Sequence, residues 1–149
     1  MRGALLLTVA LALVLAGAAP SAGSSLVRAH GLALPLPTGW HAVTARLTNC
    51  SDPTQRLAIA GDGALVVLQE RLSGERASGP ARPRRFRVSG EAKPMECCAV
   101  LSRPGWMFAF VDGGRELYAY VYPGRPGSTA TALWTLDGLE VSALLKHSA

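Results

Sequence analysis

The sequence predicts an α+β fold: an antiparallel β-sheet of about six or seven strands covered by a short C-terminal helix. Three observations carry that expectation. Two pairs of apolar runs are each split by a glycine turn, GDG at 61–63 and GG at 113–114, which is the pattern of a β-hairpin. The second pair is apolar on both faces, as strands covered on both sides are. One stretch near the end, 129–137 (TATALWTLD), has helical spacing followed by a glycine stop.

The chain opens on MRGALLLTVALALVLAGAAPSAGSS, with Arg2 as its only charge, an apolar run over 4–16 and small residues around Pro20. That is the order of regions in a secretory signal peptide, expected over residues 1–22 with cleavage between Ala18 and Gly23. A membrane-spanning helix needs about 20 apolar residues, so an uncleaved N-terminal anchor is the alternative. The remainder, residues 26–149, is of a length that forms one domain with its own core. The expected location is secreted, extracellular or in the cell envelope.

Residues 26–36 (LVRAHGLALPL) alternate loosely and end at the turn cluster Pro37-Thr38-Gly39, after which 40–43 (WHAV) resumes; two strands are expected there. Next comes the hairpin 56–60 and 64–71 around Gly61-Asp62-Gly63. Residues 72–85 (LSGERASGPARPRR) have no apolar period and predict an exposed loop, with a brief strand at 86–88 after it. In 105–122 (GWMFAFVDGGRELYAYVY), a two-residue turn at Gly113-Gly114 sets Asp112 opposite Arg115, Phe110 opposite Leu117, Phe108 opposite Ala119 and Trp106 opposite Val121. Ser128 is expected to cap the helix, Ala132, Leu133, Leu136 and Leu139 to form its buried face, and a last strand to run through 139–141.

Chemistry-bearing residues are few. The chain has three cysteines, Cys50 and the adjacent Cys97 and Cys98. Neighbouring strand residues point to opposite faces, so one disulfide from Cys50 to either Cys97 or Cys98 is expected, with one thiol left over. A vicinal Cys97–Cys98 bridge would be a labile redox element. A zinc site from these three and His41 lacks the C-x2-C pairing that lets one turn offer two ligands, so no metal and no other cofactor is expected. There is no G-x-S-x-G or H-E-x-x-H motif, and no catalytic residues are assigned.

The net charge is +5, and only Lys93 and Lys146 of the 15 basic residues are lysines. The one basic cluster, Arg82, Arg84, Arg85 and Arg87, is a candidate anion-binding loop for an anionic cell-surface polymer or another secreted protein. Secretion argues against nucleic acid. Tyr118, Tyr120 and Tyr122 share one strand face and are candidate ligand-stacking residues; a sheet face under the helix with its hydroxyls at the rim would give the same pattern.

The run LPLPTGW…DPTQRLAIA…ALVVLQER…RPRRFRV…GWMFAFVDGGRELYAYVYPG…LWTLDGLEV resembles small uncharacterised secreted proteins of high-GC bacteria and, at fold level, the PsbP-like α+β sandwich. The resemblance implies a non-enzymatic accessory or binding role, and it carries over no functional residue. The expected function is therefore a secreted non-catalytic binding or accessory protein. The alternative is a secreted thiol-dependent redox protein or enzyme that uses the Cys97/Cys98 pair.

Overall fold

A computed structural model describes residues 25–72, 76–95 and 101–143. Its elements are β1 (Ser25–Ala29), β2 (Leu32–Leu36), β3 (His41–Ala42), β4 (Thr54–Gly61), β5 (Ala64–Arg71), β6 (Trp106–Asp112), β7 (Arg115–Tyr122), α1 (Ser128–Asp137) and β8 (Glu140–Val141). The fold is α+β and mostly sheet, as predicted. The strands divide into two antiparallel sheets, β1-β2-β8 and β3-β4-β5-β7-β6. Among the described residues no helix is long and apolar enough to cross a membrane. The expected leader, residues 1–22, lies outside the described residues.

The β6–β7 register is the predicted one, with Asp112 opposite Arg115 and Trp106 opposite Val121. Gly113 and Gly114 take φ of 58° and 77°, which L-residues with a Cβ adopt only at a cost. The β4–β5 hairpin turns on Asp62-Gly63, with Gly61 opposite Ala64. Residues 26–36 do not form one strand. They fold back at His30-Gly31, both at positive φ, so that Ala29 pairs with Leu32 and Ser25 with Leu36. His-Gly serves here as the two-residue turn that Asn-Gly more often supplies.

The five-stranded sheet is covered on both faces. One face, with Leu57, Ile59, Val66, Leu68, Phe110, Leu117 and Val121, shares a core with Leu32 and Leu34 of the small sheet and with Ala132 and Leu136 of α1. On the other face Ala58, Leu65, Val67, Tyr120 and Tyr122 are packed over by Val43, Leu47, Met95 and Leu101 from loops. The helix thus covers the face opposite the tyrosines. Ser128 is the first helical residue rather than the cap; Gly127 holds the cap position at φ 86°, and the Ser128 hydroxyl instead accepts the Gly124 N–H at 2.9 Å.

The described residues of the stretch expected as an exposed loop are mostly exposed, but its end, with the residues that follow, forms a strap along the edge strand β6. Ala81 bridges Val111 in parallel and Lys93 bridges Gly105, which blunts an edge that would otherwise present unpaired backbone. Residues 86–88 form no strand. Phe86 is buried against Phe108 and Phe110, edge to face at 5.3 Å from each, and its N–H donates to Asp137 Oδ1 at 2.7 Å.

Candidate functional site

A concavity between the sheets follows from a short strand and a bulge. β3 has two residues, pairing His41 with Ala60 and Ala42 with Ile59, so it leaves the first half of β4 without a neighbouring strand on that side. There the Gln55 carboxamide takes the place of backbone pairing: its Nε2 donates to Ala45 O at 2.9 Å, and its Oε1 accepts the Leu47 N–H at 2.8 Å. The register shifts between Gln55 and Leu57, which makes Arg56 the extra residue of a bulge. Bulges re-aim side chains, and this one sends the Arg56 guanidinium to Glu70, with Nε to Oε2 at 2.8 Å.

Glu70 is buried, and it is shared by two arginines. Arg115 grips it with a fork, Nε to Oε1 and Nη2 to Oε2, both at 2.7 Å. Arg115 Nη2 also donates to His30 O at 2.9 Å, tying the β1–β2 turn to the large sheet. Burial alone would push the Glu70 carboxyl up; the hydrogen bonds and charges of Arg115, then Arg56, outweigh it and hold the group below its ordinary value. Two guanidiniums on one carboxylate leave an excess positive charge at this point between the sheets.

That charge borders a groove of about 500 Å³ between β1 and the β3–β4 edge, within the range of ligand clefts, about 300–1,000 Å³. Arg28, Arg46, Arg56 and His30 line it, and among the described residues no Asp or Glu does. Arg28 is 65% exposed and 3.8 Å from Glu140, a surface pairing of little strength. Arg46 is braced by Thr48 O and Cys50 O, each at 3.0 Å. Arg56 uses only Nε on Glu70. A second hollow of about 350 Å³ on the far side of β1 shares Arg28, Ala29 and His30. The arrangement can hold an anion by guanidinium hydrogen bonds.

The residues expected to bind anions separate into two groups. Arg82 is structural: Nη1 donates to Leu139 O at 2.6 Å and Asp112 Oδ2 at 3.1 Å, and Nη2 to Asp137 O at 2.9 Å and Leu136 O at 3.1 Å. It closes the C-terminal end of α1, where carbonyls lack helical partners and the helix dipole favours a cation. Arg84, Arg85 and Arg87 are exposed. Sequence spacing grouped the four, but a half-buried clamp one residue from an exposed run leaves no compositional mark.

The tyrosines are not a free stacking platform. Tyr120 and Tyr122 are buried, and the Tyr122 hydroxyl accepts the Leu101 N–H at 3.2 Å. Tyr118, at the rim, donates to Glu116 Oε1 and lies under Arg71, whose Cζ is 5.4 Å from the ring centre. Burial and then the Glu116 bond push its hydroxyl up to about 12. The Tyr118 bond, against some burial, keeps the Glu116 carboxyl below its ordinary value.

Cys50 is disulfide-bonded, while Cys97 and Cys98 lie outside the described residues. Among the described residues no group of His, Cys, Asp and Glu is placed to hold a metal ion. The groove arginines were missed in the sequence because Arg28, Arg46 and Arg56 are dispersed along it. The one available signal was Arg56, a charge opening an apolar strand. Comparison of the chain with family models, curated proteins and solved structures returned no match.

Proposed function

We propose that this chain is a secreted, non-catalytic binding protein whose ligand is anionic and sits in the groove between β1 and the β3–β4 edge. The observation that carries the reading is the lining of that groove by Arg28, Arg46, Arg56 and His30 with no carboxylate among the described residues. The buried Arg56–Glu70–Arg115 group supports it, because it fixes Arg56 at the groove while its second arginine leaves the carboxylate over-compensated. The PsbP-like sequence pattern, which implies a non-enzymatic role, agrees. A bridge from Cys50 to Cys97 or Cys98 would make the loop over the tyrosine face durable outside the cell, with the other sulfur left as a thiol.

Retention on an immobilised sulfated polysaccharide across a salt gradient tests the site. The double variant Arg28→Gln/Arg56→Gln should elute at markedly lower salt than wild type, and Arg84→Gln/Arg85→Gln/Arg87→Gln only slightly earlier. Arg115 still holds Glu70 in the double variant. The reverse ranking would move the site to the strap.

A further inference from the structure

The ligand's form can be read from the strand that walls the groove. β1 is an edge of its sheet, and its hairpin with β2 closes on the Ala29–Leu32 pair around a two-residue turn. In such a hairpin the residues flanking the turn exchange both hydrogen bonds, and every second residue does the same. Ala29, Val27 and Ser25 therefore point their backbone groups at β2. Leu26 and Arg28 point theirs outward, and no backbone partner for them occurs among the described residues. The side chains sort as sharply: Val27 and Ala29 pack on the core, while Arg28 stands exposed on the other face.

We infer that the groove takes an extended acidic peptide segment of another protein, added to β1 as a further strand; this rests on the anion-site reading above. The backbone edge supplies hydrogen bonds of a kind a small anion or a sulfated sugar does not complete in register. A strand laid there would place alternate residues opposite Arg28, where an opposite charge is favoured. The residues between them would face the apolar side with Val27 and Ala29. The recognised pattern is thus alternating acidic and apolar, and the arginines of the groove match its charge.

The probe is the blocked hexapeptide Glu-Val-Glu-Val-Glu-Val, with binding to the full chain followed by fluorescence anisotropy. Two further versions carry backbone N-methyl groups, one on every valine and one on every glutamate. Strand addition uses every second peptide amide, so one version should lose about tenfold or more in affinity, the worth of one or two hydrogen bonds. The other should bind about as well as the parent. Leu26→Pro, which removes an outward N–H and leaves the β2 ladder whole, should also weaken binding, whereas Leu26→Ala should not. If both methylated peptides bind like the parent, or both fail, strand addition is wrong. If the parent peptide does not bind while the sulfated matrix still retains the protein through Arg28 and Arg56, the anion site stands and only the peptide inference falls. Loss of both removes the groove altogether.

Discussion

Replacing Arg82 by alanine separates a helix clamp from a member of a surface charge cluster. The side chain is 20% exposed and makes four hydrogen bonds, one to Asp112 and three to carbonyls of residues 136, 137 and 139. Leu136 O also accepts the Leu139 N–H, so Asp137 O and Leu139 O depend most on the guanidinium. Bonds to a charged donor are worth about 1.5–3 kcal/mol each, but water admitted by the truncation satisfies part of what is lost. Two dependent carbonyls at the lower end of that range give a loss of about 3 kcal/mol. For a domain of this size that corresponds to roughly a 10 °C fall in melting temperature. Arg82→Lys keeps the charge but cannot fork to four acceptors, and it should recover less than half. Urea denaturation of Arg82→Ala beside Arg84→Ala is the assay, the latter expected within about 0.5 kcal/mol of wild type. Equal, small effects for the two would refute the clamp.

Two other perturbations probe the interior. Glu70 is held below its ordinary value, so the unfolded chain binds its proton at higher pH than the native one, and its contribution is complete above the unfolded carboxylate's pKa of about 4.3 and lost as pH falls through the depressed folded value. Stability measured from about pH 6 down to pH 2 should therefore fall in wild type and follow a flatter, lower curve in Glu70→Gln; parallel curves would show that Glu70 has no such linkage. Phe86→Ala should cost about 3–5 kcal/mol by urea denaturation, as for a buried aromatic, whereas a loss below about 0.5 kcal/mol would show that Phe86 does not anchor the strap in the core.

What could be read in the sequence follows from where the determinants are local. Gly113-Gly114 and the alternation around it specify a register pair by pair, and β6–β7 has that register. Ala132, Leu136 and Leu139 carry their own period, and they are buried. The division into two sheets was not legible, because His30-Gly31 lacks the usual turn signature and 26–36 alternates through it. Nor was the strap: the Gly, Pro and Arg of 72–85 read as an exposed loop and 86–88 as a brief strand, with nothing to place them along β6. Yet one phenylalanine in the core and one guanidinium over a helix end suffice to seat it. The groove was hidden for a related reason. Arg28, Arg46 and Arg56 come from β1, a loop and a bulge, and only the tertiary fold makes them neighbours. The tyrosine triplet was visible as a face, but its cover consists of loop residues such as Leu47 and Met95, with no periodicity to announce them.

An amide NMR titration of the isotope-labelled protein with a short polyglutamate tests the groove most directly. An anion site in the groove predicts shifts concentrated at Val27, Arg28, Ala29 and His30 and across Thr54, Gln55 and Arg56, the two walls of the groove. Shifts confined to Arg84, Arg85 and Arg87, with both walls silent, would contradict it.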